Sequence, residues 1–421
     1  MEFKVIALKD AGIDIIDGDR GKNYPKKTEM TNQGHTLFLN NKNIINDYLD
    51  VTTGEFITEN KSNELRKGKL IRDDIVMSTR GSVGNIGHYS ENIALNNIRI
   101  NSGMVILRNK NTQINTNYLY ILLKSSYMKN QYLELISGSV QNQLPIRDLQ
   151  HIKLRIPELI YQKKIVQVIN NLEQKIFLNK KIISNFEQLS QTLFKHWFID
   201  FEFPNEEGKP YKSSGGEMVE SELEKIPLTW KIVKIDDIAI QKKAKINLDT
   251  SLEEFNYIGL EHMPQGNIGL NNWESSNKVS GNKSLFENGD ILFGKLRPYF
   301  KKVGIAPVPG ICSTDILVIN SKIDYYKSYL FLQLIQDSFI KYTSNTATGT
   351  RMPRTSWKLI SNYEIILPNK EVIIKFDEII SPILEKVNHL IHENNNLQQL
   401  RDTLLPKLLS GEIEIPDELE V

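Results

Sequence analysis

Cysteine is almost absent. A single Cys312 in 421 residues excludes an intramolecular disulfide. With no second thiol and seven scattered histidines there is no ligand set for a structural zinc, so no metal is expected and Cys312 reads as plain core packing. Long apolar runs are missing too: nothing approaches the roughly 20 apolar residues of a membrane span. The opening Met1-Glu-Phe-Lys has no basic segment followed by an apolar core, so no secretory signal is read there. These absences predict a cytoplasmic protein with no membrane partner. Charge of one sign is also lacking, since 52 Lys and Arg against 51 Asp and Glu leave a net charge of +1. A protein that grips phosphates alone usually carries a clear basic excess. Any nucleic-acid role therefore needs local basic patches, or partners that share the phosphate contacts.

Catalytic motifs are the next absence. Gly81-Ser-Val-Gly-Asn-Ile-Gly lacks the lysine and the spacing of a nucleotide-phosphate loop. No Asn- or Asp-Pro-Pro-aromatic run is present to hold an adenine amino group for methylation, and there is no H-E-x-x-H. The string Glu207-Gly-Lys209 after Asp200 has the residue types of a metal-dependent nuclease, but it sits in a polar segment without flanking apolar strands. The chain is expected to be non-catalytic and to bind no cofactor itself.

What is present is a repeat. The segment Gly138-Ser-Val-Gln-Asn-Gln-Leu-Pro aligns with Gly349-Thr-Arg-Met-Pro-Arg-Thr-Ser, 211 residues later. That register continues without a gap, pairing Ile165 with Phe376, Ile169 with Ile380, Leu172 with Ile383, Ile176 with Val387 and Leu193 with Leu404. Upstream, Phe3-Lys-Val-Ile matches Trp230-Lys-Ile-Val at 227, and Asp74-Ile-Val matches Asp290-Ile-Leu at 216. A drifting offset means loops of different length, so the plan reads domain, helix, domain, helix.

The helices carry a heptad pattern. Alternate steps of four and three from Ile165 reach Ile169, Leu172, Ile176, Asn179, Ile183, Phe186, Ser190, Leu193 and Trp197. The same steps from Phe376 reach Ile380, Ile383, Val387, Leu390, Asn394, Leu397, Arg401, Leu404 and Leu408. A mean spacing of 3.5 over about four heptads is the coiled-coil signature, and about 40 helical residues span roughly 60 Å. Two independent amphipathic helices are the alternative; the shared register favours packing on each other, with Asn179 and Asn394 fixing the alignment. Pro382 predicts either a kink or a late helix start near Ser381. The resulting segments are a first domain (1–157), a helix (158–200), a connector rich in Gly, Ser, Pro and charge (201–225), a second domain (226–368), a helix (369–412) and a tail (413–421). Within the domains, apolar runs at 75–77, 104–107, 291–293 and 316–319 read as strands. Short helices are expected at 118–123 and 325–335.

The candidate binding residues are basic and aromatic loops in both copies. The first domain offers Arg20, Lys22, Tyr24, Lys26 and Lys27, then Thr79 and Arg80, then Ser139, Gln141, Asn142 and Gln143. The second offers Lys242, Lys243 and Lys245, then Lys295, Arg297, Tyr299, Lys301 and Lys302, then Thr350, Arg351, Arg354 and Ser356. Arg and Lys grip phosphates or read guanine, and Asn and Gln suit adenine.

Three stretches then carry a resemblance: L-F-K-H-W-F-I-D-F-E-F-P-N-E-E-G-K-P-Y-K-S-S-G-G-E-M from Leu193 with I-P-L-T-W at Ile226, L-R-D-T-L-L-P-K-L-L-S-G-E-I from Leu400, and D-G-D-R-G-K-N-Y-P from Asp17. The chain resembles the specificity subunits of type I restriction-modification systems along its whole length. That resemblance implies an α+β fold of two pseudo-repeated mixed α/β recognition domains separated by two long helices packed as an antiparallel coiled coil. It implies that each domain reads one half of a split site in double-stranded DNA. Two methyltransferase subunits would dock and modify an adenine in each half, and motor-nuclease subunits would join for cleavage. S-adenosylmethionine, ATP and Mg would belong to those partners. The competing functions are a stand-alone metal-dependent nuclease and a scaffold without DNA specificity.

Overall fold

The computed structural model describes residues 2–137, 142–250 and 253–416. The chain divides into two compact units, Met1–Glu173 with Gln399–Val421, and Gln174–Gln398. Each is an α+β assembly on the same plan. The first holds a four-stranded antiparallel sheet in the order Ile13–Asp17, Met104–Asn109, Ile75–Ser78, Ile86–His88. The second repeats it as Ala239–Lys242, Ile316–Ser321, Ile291–Gly294, Val303–Ile305. Beside each lies a mixed sheet with one parallel pair: Thr36–Leu39 with Ile98–Ile100, and Asn256–Ile258 with Gly310–Cys312. A two-stranded ribbon joins the start of each domain to its end. Lys4 faces Ile156 in the first ribbon, and Lys231 faces Leu367 in the second, preserving the 227 and 211 offsets. The sequence repeat is a structural repeat.

The apolar runs show no alternation because both faces of the central strands are covered. Side chains still alternate between faces. Ile75, Met77, Val105 and Leu107 join a core with the helices Thr116–Lys124 and Ser126–Leu135, whereas Val76, Met104 and Ile106 join one with Leu37, Leu39, Ile98 and Ile100 of the mixed sheet. In the second unit Ile291, Phe293, Leu317 and Ile319 face the helices Lys327–Leu334 and Asp337–Asn345. Leu292, Ile316 and Val318 face the smaller core that contains the buried Cys312.

The two long helices are Leu159–Phe194, continued by a wider turn over Lys195–Ile199, and Lys370–Ser410. They pack antiparallel. In the first unit Ile165 and Ile169 share a core with Leu408 and Leu409, and Glu173 lies 3.9 Å from Arg401. In the second, Asn179 donates to Asn394 Oδ1 at 3.1 Å and to Glu393 at 2.8 Å, while Phe376 meets Phe194, Trp197 and Phe198. Every heptad position from Ile165 to Trp197 and from Phe376 to Leu408 is buried or half-buried, so Leu172, Ile176, Ile183, Phe186 and Leu193 on one helix and Ile383, Val387, Leu390, Leu397 and Leu404 on the other form the seam. Two polar seam residues meet each other, which fixes the stagger at a cost in stability. Of the two alternatives at Pro382, a kink or a late helix start, the late start is wrong. The helix begins at Lys370 and continues through Pro382. The proline has no N–H to give the Glu378 carbonyl, and since Pro382 and Glu378 are both exposed, that carbonyl is open to solvent rather than stranded in a core. Nor is the connector a detached tether, since Phe201 and Phe203 enter the second core and Phe203 stacks on Trp230 at 4.8 Å.

In the second unit Glu187 joins helix to domain, its Oε1 accepting the N–H groups of Ile268 and Gly269 at 2.9 and 2.8 Å. Burial raises its pKa above the ordinary 4.5, the two backbone donors offsetting only part of that cost. Stability from this group is therefore fully present below about pH 4.5 and is lost as pH rises through the raised value. Glu187→Gln keeps an oxygen for both donors without the buried charge, and is expected to match or exceed the wild type in stability at pH 7. Glu187→Ala strands two N–H groups and should cost about 1–3 kcal/mol. Urea titrations at pH 5 and 7 check this, and an equal loss in both variants would disprove the neutral-acceptor account.

Candidate nucleic-acid interface

In each unit the loop leaving the central strand crosses the loop that precedes the last ribbon strand, and the two crossings use the same backbone bonds. Thr79 N–H donates to Gly103 O at 2.8 Å, as Lys295 N–H does to Asp315 O at 2.8 Å. Leu144 N–H reaches Thr79 O at 2.9 Å, and Thr355 N–H reaches Lys295 O at 3.1 Å. Gly81 N–H bonds Asn142 O at 3.0 Å, and Arg297 N–H bonds Pro353 O at 2.8 Å. Ser137 and Gln143 exchange a pair of bonds, matched by Thr348 and Arg354. The crossing aligns Arg80 with Leu296, Gly81 with Arg297, and Gln143 with Arg354. Because each loop is tied to a buried strand at one end and to its partner loop in the middle, side chains here leave from a fixed backbone.

At the first crossing Arg80 is half-buried, its carbonyl accepts from Asn41 Nδ2, and its Nε is enclosed without a partner. Asn142 is exposed and Gln143 half-buried beside it, while Ser139 and Gln141 lie outside the described residues. Thr79 is 3% exposed, with its hydroxyl donated to Gly103 O, so it is a strut rather than a reader. The loop of Arg20 adjoins the same region through Arg20 Nη2, 3.3 Å from Ser102 O and 3.1 Å from Asp17. Asp19 shapes that loop by accepting from the N–H groups of Gly21 and Arg66, which hold its pKa below the ordinary range. Lys22 and Lys26 are exposed, Lys27 pairs with Glu55 at 2.7 Å, and Tyr24 packs edge-on against Phe38.

At the second crossing Lys295, Arg297, Tyr299, Thr350, Arg351 and Ser356 are exposed or half-buried around one junction. Arg354 pairs with Asp315 through both ends of its fork, at 3.1 and 3.4 Å. Lys301 pairs with Asp337 at 2.9 Å, and Lys302 donates to Leu260 O. At Lys242 burial works against the charge, but bonds to Glu287 and Asp290 outweigh that and raise its pKa. Its backbone lies beside Val318, level with Leu292, and its ammonium turns back to Asp290, so this cation is already paired. Lys243 and Lys245 are exposed. Two crossing residues escaped the sequence reading: Asn41, hidden in an Asn-rich turn where Asn40 and Asn43 serve as caps, and Met352, an exposed apolar tip.

The nuclease-like residues do not assemble. Lys209 pairs with Glu207 at 2.8 Å and Asp200 with Lys195 at 2.8 Å, each acid satisfied by its own neighbour. Glu261, His262 and Glu274 cluster closely enough to suggest a metal. However, His262 Nδ1 accepts the Gly259 N–H at 2.9 Å, which leaves the ring proton on Nε2 and denies that nitrogen to a metal. Among the described residues no helix is long and apolar enough to cross a membrane.

A sequence profile described as "Type I restriction modification DNA specificity domain" matches residues 2–188 and 227–401. The chain belongs to this family. The two matched stretches each hold one recognition domain and the start or the bulk of one long helix. Among its relatives is the type I restriction enzyme MjaIX specificity subunit of Methanocaldococcus jannaschii, 25% identical over 91% of this chain and 88% of that protein. Another is the HindI specificity subunit of Haemophilus influenzae, 24% identical over 94% of this chain and 98% of its relative. The crystal structure of a type I restriction-modification S subunit from M. genitalium has the same fold, with a TM-score of 0.56 at 15% identity, covering 97% of this chain and 96% of that one. Target recognition by this specificity-family chain is thus a matter of DNA.

Proposed function

We propose that this chain gives sequence specificity to separate enzymes, each recognition domain reading one half of a split site in double-stranded DNA. The observation that supports this reading is the twin crossing: the same backbone bonds are built twice, around different side chains. Arg80, Asn142 and Gln143 would serve one half-site, and Lys295, Arg297, Tyr299, Thr350 and Arg351 the other. Identical scaffolds with different side chains suit two different half-site sequences. The helix pair sets the gap. Two methyltransferase subunits would supply adenine methylation with S-adenosylmethionine, and motor-nuclease subunits would supply ATP- and Mg-dependent cleavage, so the near-neutral net charge follows from shared phosphate contacts. The chain itself carries out no chemistry and works in the cytoplasm.

Co-expression with a methyltransferase subunit of a type I system, followed by mapping of methylated adenines, tests the proposal. The expected result is one motif of two short specific halves around a gap of unspecified bases. A continuous motif, or none, would overturn it.

A further inference from the structure

The crossings differ in one telling place. Gly81 has φ +73°, the left-handed region that glycine enters freely. Its counterpart, making the same bond to the facing loop, is Arg297 with φ +50° and ψ 66°. A long side chain in that conformation costs free energy that a glycine would not. The fold does not require an arginine here, because the first domain closes the same crossing without any side chain.

Other features make this arginine distinct from the cations around it. Lys301 and Arg354 are each paired with a carboxylate and Lys302 with a carbonyl; of Lys295, Arg351 and Arg297, none of which has a carboxylate partner among the described residues, only Arg297 holds a left-handed backbone. Arg297 Nη2 donates to Arg351 O at a long 3.5 Å, and its Nε is enclosed and unpartnered. Its backbone is rigid. The N–H is bound to Pro353 O, the carbonyl accepts from Phe300 N–H at 2.9 Å, and Pro298 follows. A phosphate contact needs only charge and reach, which any surface lysine supplies from relaxed backbone. Reading a base edge needs a fork held in a fixed direction. Bidentate pairing of arginine with the O6 and N7 of guanine is the commonest specific contact of that kind.

We propose that Arg297 is the guanine-reading residue of the second recognition domain, kept in a strained left-handed conformation because its fixed guanidinium meets the major-groove edge of one guanine. This rests on the split-site reading above. The test uses the chain co-expressed with its methyltransferase partner, comparing wild type, Arg297→Gly and Arg297→Lys by methylation mapping and by thermal unfolding. Arg297→Gly should keep or raise Tm, by about 2–4 °C if the strain is relieved. Preference for guanine at one position of one half-site should fall by about 10- to 100-fold, with the other half-site unchanged. Arg297→Lys keeps the charge without the fork and should relax the same position. Even weakening at all sequences by Arg297→Gly, with Arg297→Lys behaving as wild type, would mean a phosphate contact and overturn the proposal. A lowered Tm for Arg297→Gly would mean a structural arginine and overturn it as well. A wild-type split motif with no guanine in the affected half defeats the guanine assignment alone, whereas no split motif in the wild type defeats the functional reading beneath it.

Discussion

Phe376→Ala should lower the stability of the second unit by about 3–5 kcal/mol, a large share of the roughly 5–15 kcal/mol that holds a domain folded. Phe376 is fully buried, with ring centroids of Phe198, Trp197 and Phe194 at 4.6, 5.5 and 6.2 Å. Truncation opens a cavity at the point where both long helices meet the recognition domain, and the surrounding aromatic rings are too rigid to collapse into it. The pseudo-repeat sharpens the expectation. Ile165 is the counterpart of Phe376 and Leu408 and Leu409 are those of Trp197 and Phe198, so the first unit builds the same junction from aliphatic side chains. Phe376→Leu should therefore recover most of the loss, since a branched aliphatic residue already suffices at the equivalent place. Urea unfolding followed by the fluorescence of Trp197 and Trp230 reads the effect. A loss below about 1 kcal/mol for Phe376→Ala would show that the junction is held by something other than this cluster.

What the sequence disclosed, and what it hid, divides along the range of the forces involved. The heptads from Ile165 and Phe376 and the strands at Ile75–Ser78 and Ile291–Gly294 rest on local periodicity, and they stand where the sequence places them. Asn179 and Asn394 stand out along the chain as the polar heptad positions that fix the alignment, but that they bond each other depends on the antiparallel stagger and not on the 211-residue repeat, which relates Asn179 to Leu390. The binding candidates suffered from the same limit. Lys242, Lys301 and Arg354 look like free cations along the chain, and only the fold brings Asp290, Asp337 and Asp315 to them from 48, 36 and 39 residues away. Thr79 was misread because its acceptor, Gly103, is 24 residues downstream. The 216-residue offset that pairs Asp74 with Asp290 also pairs Gly81 with Arg297, but the matching backbone bonds and the left-handed φ at both places are visible only in the fold.

Inserting one whole heptad at matched places in both long helices should lengthen the gap between half-sites while leaving both half-site sequences unchanged. Seven residues add about 10.5 Å of helix, against 3.4 Å per base pair, so the added gap is at most about three base pairs. A heptad rather than an arbitrary number is required because it returns the apolar seam to the same face with about 20° of drift. Three or four residues would rotate Asn179 or Asn394 off the seam and strand a buried amide. The insertion has to be matched because Asn179 contacts both Asn394 and Glu393 across the pair, and lengthening one helix alone would shear those contacts apart. The antiparallel pairing dictates where the match lies: residues inserted after Ile183 of the first helix must be met by residues inserted just before Leu390 of the second. The readout is the methylation motif of the insertion variant. A longer gap with intact halves supports a ruler, and an unchanged gap with normal methylation would refute the spacer role while leaving the two recognition domains in place.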